Sequence, residues 1–292
     1  MTILPSTQHK VEIPSGRIAF SEQGNGPVAL FVHGVLLNGY LWRHQMAGLS
    51  DIRRCIALDL LAHGDTEVAD SQDLSVTANA NMVREFLDAL EIDRVDLVGN
   101  DSDSGSGIAQ IFAASYPERV RSLTLTDGDT HDNWPPEAFK PFLKMAAGGG
   151  LASTLNAMLA DKNIYRSQQA LGPAYERPEQ VSDETIERYL RPLVQSERRT
   201  AQFRRFLGEF DNRHTLAVEA KLKTLRAPTL IVWGTDDIYF DAKWAYWLSE
   251  KIPGTRRRVE FEGARIFFPE ERWEAFNTEL RNHWLSAASS GA

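Results

Sequence analysis

Nearly continuous apolar runs recur along the chain and alternate with stretches in which apolar residues return every three to four positions. The runs are bounded by Gly, Asp or Pro and are found at 28–34, 54–60, 95–100, 121–129, 227–237 and 257–264. Such runs are typical of strands covered on both faces, and the intervening periodicity is typical of helices. The alternation predicts a mostly parallel, twisted α/β sheet flanked by helices.

Two stretches depart from this alternation. Residues 9–27 alternate with period two around a Gly-rich turn, which predicts an antiparallel hairpin at the sheet edge. Residues 130–218 contain helical patterns and no convincing strand. A helical block inside an α/β chain predicts an inserted cap over the carboxyl edge of the sheet. We therefore divide the chain into a core, 1–129 and 219–292, and a cap, 130–218.

The charge and composition exclude several classes of protein. The 292 residues are 42% hydrophobic and 25% charged with a net charge of -8, which argues against nucleic-acid or membrane-surface partners. The run Arg256-Arg257-Arg258 is interpreted as the solvated start of a strand. The single cysteine, Cys55, permits no internal disulfide, and no signal peptide or 18-residue apolar run is found. We expect a cytoplasmic protein, monomer or homodimer, without metal or cofactor.

The stretch VDLVGNDSDSGSGIAQ, residues 95–110, predicts a strand, a sharp turn and the start of a helix. The turn contains Asp101, Ser102, Asp103 and Ser104 in succession. A strand that turns sharply into a helix is how one large enzyme class presents its nucleophile. One of these four residues is therefore expected at the apex of the turn.

Together with three other motifs, this turn resembles the α/β-hydrolase superfamily, in the branch of haloalkane dehalogenases and epoxide hydrolases. The motifs are HGVLLNGYLWR (33–43), DLLAHGDTE (59–67) and VWGTDD (232–237), in the expected order at predicted strand ends. The resemblance implies an α/β-hydrolase fold with Asp237 as the acid of a catalytic triad. It also implies an oxyanion hole formed by Val35 and by the residue after the nucleophile, Ser102 or Ser104.

The nucleophile elbow of this superfamily follows the pattern small-x-nucleophile-x-small. Counting from the strand, Gly99 stands two positions before Asp101; counting back from the helix, Gly105 stands two positions after Asp103. Neither Ser102 nor Ser104 has such a glycine, so an aspartate is favoured over a serine. Asp101 is slightly preferred, because the register of a buried strand is hard to slip.

The histidine that the resemblance implies is absent. In FEGARIFFPEERW (261–273), its position falls on Ile266 or Phe267, and no histidine lies between His214 and His283. A substitute is available in TDGDTHDNWPP (126–136), where His131 follows Asp127 and Asp129 and could act as a general base. The alternative interpretation of this segment is a polar hinge between core and cap.

These features predict an enzyme that acts on a small, largely apolar molecule beneath the cap. The side chains expected to line its pocket are Trp42, Trp134, Phe139, Ile266 and Phe267. The reaction is ester or lactone hydrolysis, or a related acid–base reaction. The alternative is a catalytically impaired binding protein or covalent trap, because loss of a triad base costs roughly 10⁴–10⁶-fold in turnover.

Overall fold

The computed structural model describes residues 7–100 and 104–289, which contain a single eight-stranded sheet. Its order is β1-β2-β4-β3-β5-β6-β7-β8. The first two strands form the predicted antiparallel hairpin at one edge, and β2 also pairs antiparallel with β4. Every other pair of neighbouring strands is parallel. The strands are β1 Thr7–Ile13, β2 Gly16–Gln23, β3 Val28–Val32, β4 Arg54–Leu58, β5 Val95–Gly99, β6 Val120–Thr126, β7 Thr229–Gly234 and β8 Thr255–Phe261.

Helices cover both faces of this sheet, so the predicted fold class is confirmed. On the core, α1 packs against α12 and α2 packs against α3, while α10 packs on β7 and β8. No helix in the described part of the chain has the length and apolar character needed to cross a bilayer. The helices are α1 Arg43–Leu49, α2 Val76–Ala89, α3 Gly105–Ser115, α4 Lys140–Ala147, α5 Leu151–Ala160, α6 Lys162–Arg166, α7 Asp183–Val194, α8 Glu197–Leu207, α9 Arg213–Leu222, α10 Lys243–Lys251, α11 Phe268–Glu271 and α12 Trp273–Ser289.

One charged group lies inside the sheet. Every residue of β5 is buried, including Asp96, whose Oδ2 accepts hydrogen bonds from Arg53 Nε at 2.7 Å and Arg121 Nη1 at 3.0 Å. The Oγ of Ser122 donates to Asp96 Oδ1 at 2.7 Å. A buried carboxylate is tolerated when its oxygens are fully paired in this way. The group joins β5 to β6 and to the segment before β4, far from the carboxyl edge of the sheet.

The loop after β4 holds a second carboxyl group, which is partly buried. Asp59 accepts hydrogen bonds from the backbone N–H of Gly39 and of Asp65, each at 2.8 Å, and so fastens the loops after β3 and β4 together. Burial raises the pKa of Asp59 to about 6. In the same loop Ala62 has φ of +65°, a left-handed conformation that a residue with a Cβ adopts at a cost. This explains why glycine is usual at this position in the motif that the loop resembles.

The chain between β6 and β7 folds into α4 to α9 and contains no strand among the described residues. Arg199 of α8 anchors this helical segment to the core. Its guanidinium donates to the carbonyl oxygens of Thr66, His63 and Gly64 at 2.5–3.2 Å. The division of the chain into a core, 1–129 and 219–292, and a cap, 130–218, stays a prediction.

Candidate active site

The predicted site residues come from loops at one edge of the sheet. Strands β3, β5, β6, β7 and β8 run parallel, so their carboxyl ends lie at the same edge. Val35, Asn100, Asp127, Asp237 and Ile266 each follow one of these strands in that order. The elbow residues Asp101, Ser102 and Asp103 lie outside the described residues, so the choice of nucleophile stays a prediction.

The chain on both sides of the elbow is tightly packed. A Cβ on Gly105 would lie 2.0 Å from the carbonyl oxygen of Asn100 and 2.7 Å from that of His33, so only glycine fits. Asn100 is buried, and its Nδ2 donates to Thr126 Oγ1 at 2.5 Å and to the carbonyl oxygen of Ile266 at 3.2 Å. Asn100 was not predicted as a site residue. Its amide links the base of the elbow to β6 and to the position where the resemblance expects a histidine.

Ser104, which the resemblance offers as an oxyanion-hole residue, is the N-cap of α3. Its side chain is fully buried, and its Oγ has no hydrogen-bond partner among the described residues. The role of Ser104 in an oxyanion hole stays a prediction.

The loop after β3 adopts a constrained conformation. His33 donates from Nδ1 to the carbonyl oxygen of Gly34 at 2.7 Å, and its Nε2 accepts from the N–H of Leu60 at 3.0 Å. Burial lowers the pKa of His33 to about 4, so its ring is neutral and serves as a structural link. Val35 is 3% exposed, and Leu36 has φ of +62°. The role of the Val35 N–H in an oxyanion hole stays a prediction.

Asp237 has the most unusual electrostatic setting of the described site residues. Its Oδ1 accepts from the backbone N–H of Tyr239 at 2.8 Å, whereas its Oδ2 is buried with no hydrogen-bond partner among the described residues. Burial raises the pKa of Asp237 from 3.8 to about 7, against the lowering effect of backbone hydrogen bonds from Tyr239 and Phe240. The carboxyl group therefore exchanges its proton near neutral pH.

The segment after β6 is packed on the first turns of α3. Asp127 Oδ1 accepts from the N–H of Gly234 at 2.8 Å, which joins β6 to β7. The carbonyl oxygen of Asp129 accepts from Gln110 Nε2 at 2.6 Å, and both aspartates are fully buried. A Cβ on Gly107 would lie 3.2 Å from Asp129 Oδ2, so the Asp129 carboxyl group reaches the helix that follows the elbow.

His131 makes its described contacts with the helices that leave the cap. Its Nδ1 lies 3.0 Å from Glu219 Oε2 of α9, and its ring stacks on Trp247 of α10 at a centroid distance of 5.0 Å. Its carbonyl oxygen accepts from Thr215 Oγ1 at 2.6 Å. These contacts agree with the alternative interpretation, a polar hinge. The predicted role of His131 as a base for Asp101 or Asp103 stays untested.

The loop after β8 presents apolar side chains where the resemblance expects a base. Ile266 and Phe267 are 1% and 3% exposed. Phe267 packs against Tyr175 with a centroid distance of 4.7 Å, and its N–H donates to the carbonyl oxygen of Ala174 at 3.3 Å. The position is thus filled by hydrocarbon and is in contact with the segment between α6 and α7.

Besides Phe267, three aromatic residues were predicted to line a pocket, and they fall into two groups. Trp134 and Phe139 both pack near Phe210, with centroid distances of 5.7 and 6.2 Å. Trp42 instead packs against Phe31 of β3 at 5.1 Å and is fully buried. The contacts of Trp42 are those of a core residue. Contact of any of the three with substrate stays a prediction.

A large cleft was not anticipated from the sequence. It has a volume of about 1160 Å³ and is lined by residues of β1, β2, the loops after β3 and β4, and α7, including Tyr40, Asp59 and Arg188. The Tyr40 ring lies between the guanidinium groups of Arg43 and Arg188, at 4.5 and 5.1 Å. No sequence pattern indicated this cleft, because its walls come from distant segments. Among the described residues, no cluster of three or more His, Cys, Asp or Glu side chains could hold a metal ion.

The family described as alpha/beta hydrolase fold matches residues 27–272 of the chain. The protein belongs to this family. Haloalkane dehalogenase 2 of Mycobacterium tuberculosis is 27% identical over 233 residues, which cover 78% of this chain and 77% of the relative. Epoxide hydrolase 4 of Mus musculus is 23% identical over 241 residues, which cover 78% of this chain and 64% of the relative.

Solved structures agree with the fold. The crystal structure of a lipase from Acinetobacter baumannii superposes with a TM-score of 0.81 at 19% sequence identity, covering 98% of this chain and 93% of that chain. The predicted superfamily, and the prediction of a hydrolase within it, are confirmed at that level. The substrate and the nucleophile are not identified by these similarities.

Proposed function

We propose that the protein hydrolyses an ester or lactone of a small, largely apolar molecule, or carries out a related acid–base reaction, with an aspartate at the elbow. The observation that carries this proposal is the hydrogen bonding and the raised pKa of the Asp237 carboxyl group. One of its oxygens is fixed by backbone N–H, the other is buried and unpartnered among the described residues, and its pKa is about 7. A group whose pKa lies near the working pH is suited to general acid–base catalysis.

Asp237 itself is assigned as the base, because the loop after β8 contains no histidine. In its ionised form Asp237 accepts a proton from a water molecule, whose oxygen then forms a bond to the substrate carbonyl carbon. The proton subsequently passes to the leaving alkoxide as the carbon–oxygen bond of the ester breaks. The buried, apolar Ile266 and Phe267 stand where the resemblance expects a base, and they favour an apolar substrate.

A panel of chromogenic esters and lactones tests this proposal. We expect turnover by the wild-type protein that falls at least about 100-fold in Asp237→Asn, because general acid–base catalysis contributes typically 10²–10⁴-fold. The exposed neighbour provides the control Asp236→Asn, which should retain activity. Equal rates for wild type and Asp237→Asn would contradict the assigned role, and no turnover on any probe would count against hydrolysis.

The second candidate is a covalent trap, and the apolar filling at Ile266 and Phe267 favours it. An elbow aspartate that attacks a haloalkane carbon forms an ester and releases halide. Attack on an epoxide carbon forms an ester as the ring carbon–oxygen bond breaks, and the alkoxide that stays on the product takes a proton from water. No described histidine lies in the loop after β8 to activate the water that would release this ester. Intact-mass spectrometry after incubation with such a probe would detect a persistent one-to-one adduct. Asp101→Asn and Asp103→Asn would identify its attachment site, and Ile266→His should accelerate its release.

A further inference from the structure

The loop after β3 continues beyond Val35 into a segment that is attached to the predicted cap. The side chain of Asn38 makes this attachment: its Oδ1 accepts from the N–H of Tyr40 at 3.1 Å, and its Nδ2 donates to the carbonyl oxygen of Arg188 at 2.7 Å. The Arg188 guanidinium lies over the Tyr40 ring, 5.1 Å from its centroid. Helix α7, which carries Arg188, therefore contacts the loop through both its backbone and a side chain.

A cluster of three side chains, Arg43, Tyr189 and Glu270, forms a second connection one residue further along α7. Arg43, at the start of α1, pairs with Glu270 of α11, and the two side chains are 15% and 9% exposed. The hydroxyl of Tyr189 donates to the other oxygen of the Glu270 carboxylate at 3.1 Å. Burial raises the pKa of Tyr189 well above its usual value, so the phenol keeps its proton and remains a donor. The carboxylate thus joins α7, the end of the loop after β3 and the helix that follows the loop after β8.

The ionic character of this cluster is not needed for stability. Removing two charges from water carries a desolvation penalty, and a buried ion pair is often no more stabilising than well-packed hydrocarbon of the same volume. Hydrogen bonds to charged groups do, however, fix the relative position of the groups that they join. A fixed position is important near a reaction centre, where groups have to be held within about half an ångström of their productive geometry.

The segments that the cluster joins are those that border the candidate site. Val35, whose N–H the resemblance places in an oxyanion hole, belongs to the same loop as Arg43, and Ile266 precedes Glu270 by one turn of chain. Between Val35 and Arg43, the backbone of Leu36 has φ of +62°. Such a conformation costs energy in a residue with a Cβ and persists where its surroundings hold it. A contact that holds the far end of this loop therefore helps to keep the Val35 N–H in place.

We propose that Tyr189 and Glu270 are positioning residues for the hydrolysis proposed above, and that through Arg43 they make the loop that carries Val35 depend on the position of α7. With α7 in place, the loop is held, and its N–H can stabilise the negative oxygen that develops on the substrate carbonyl. With α7 displaced, the loop loses both of its connections and relaxes. The inference rests on the proposed hydrolysis, but the state of the loop can be measured without turnover.

Hydrogen–deuterium exchange, measured by mass spectrometry on peptides that cover 34–43, reports on the loop directly. Glu270→Gln should raise the exchange rate of this segment by about tenfold or more, the factor that corresponds to losing a hydrogen bond between charged groups. Tyr189→Phe should raise it by a smaller factor, because the ion pair remains. The matched control is Glu187→Gln, since Glu187 lies on the same helix but pairs with Lys162 of α6. This control should leave exchange in 34–43 unchanged.

A triple variant separates positioning from stability, because Glu270→Gln alone leaves a buried charge on Arg43 without its partner. Arg43→Met, Tyr189→Phe and Glu270→Met together make the cluster apolar, and this protein should unfold in urea near the wild-type midpoint. Its loop should still exchange faster than that of the wild type. On an ester that the wild type hydrolyses, kcat should fall about tenfold or more while KM changes by less than about twofold, because the loss lies in the transition state.

The possible outcomes distinguish this inference from the proposed function. Unchanged exchange in 34–43 for both Glu270→Gln and the triple variant would overturn the inference, whatever the activity. Faster exchange with unchanged kcat and KM would also overturn it, since the loop would then have no part in the reaction. Faster exchange in a protein whose wild type turns over no ester or lactone would refute the proposed hydrolysis and still support the connection between α7 and the loop.

Discussion

Replacing Asp237 by asparagine tests the most consequential electrostatic feature of the site. The folded protein holds this carboxyl group at a pKa of about 7, whereas its ordinary value is 3.8. The folded state therefore binds the proton more tightly than the unfolded state does. As pH rises from 3.8 to 7, the unfolded chain gains stability by ionising Asp237 first, so the free energy of unfolding falls. Asparagine keeps an oxygen to accept from the Tyr239 N–H but cannot ionise.

The magnitude follows from proton linkage. With the raised folded-state pKa, ionisation of Asp237 lowers the free energy of unfolding by roughly 2 kcal/mol at about pH 5 and roughly 4 kcal/mol at about pH 8.5. The stability of Asp237→Asn relative to wild type should therefore increase by roughly 2–3 kcal/mol between these two conditions.

Urea denaturation followed by circular dichroism at the two pH values measures this difference. Asp236→Asn provides the matched control, because Asp236 is exposed and adjacent in the chain. If Asp237→Asn shows no pH-dependent difference from wild type, the carboxyl group is already ionised in the fold near pH 5. Proton exchange by Asp237 near neutral pH would then be refuted.

Three further substitutions test contacts that hold the fold together. Ala62→Gly should raise the free energy of unfolding by up to about 1 kcal/mol, because glycine removes the cost of φ at +65°, and a urea titration measures it. Asp96→Ala should lower it by about 3–5 kcal/mol in the same assay, since the buried Arg53 loses its partner. Arg199→Ala should increase the rate of limited proteolysis within 130–218, because the guanidinium that anchors α8 to the core is lost.

The fold could be predicted from the sequence because its elements are encoded locally. Buried parallel strands give apolar runs, and the run containing Val95–Gly99 is fully buried as its pattern indicates. The buried Asp96 of that strand shows what a local pattern cannot predict, namely the partner of a side chain. Its partner Arg53 lies 43 residues earlier in the chain, and only the tertiary fold brings the two together. No local pattern indicated that the oxygens of this carboxylate are fully hydrogen-bonded.

The sequence predicts which strand ends carry the residues of the candidate site. It does not predict which other side chains those residues contact. Motif spacing indicates that Asp237 and Ile266 follow adjacent strands, and the parallel pairing of β7 with β8 brings their loops to one edge. The pairing of His131 with Glu219 depends on how α9 returns to the core after the cap. No periodicity or spacing encodes a contact between residues 88 positions apart. For the same reason, the role of Asn100 emerged only from its hydrogen bonds.

The loop after β8 explains how the site is built without a histidine. Instead of presenting a base, this loop binds the segment between α6 and α7 along much of its length. Arg265 Nη1 donates to the carbonyl oxygens of Pro173 and Tyr175 at 3.3 and 3.1 Å. The Glu271 carboxylate accepts from the N–H groups of Glu176 and Arg177 at 2.7 and 2.8 Å.

These contacts have a consequence for catalysis. A loop fastened at both ends holds Ile266 and Phe267 in place as a fixed apolar wall. The wall therefore occupies the place of the expected base and leaves no room for a polar ring. Introducing histidine at Ile266 should lower the free energy of unfolding, because it would bury an imidazole at a position that is 1% exposed. Urea denaturation of Ile266→His measures this loss, and a variant as stable as wild type would show that the position is not a fixed part of the packing.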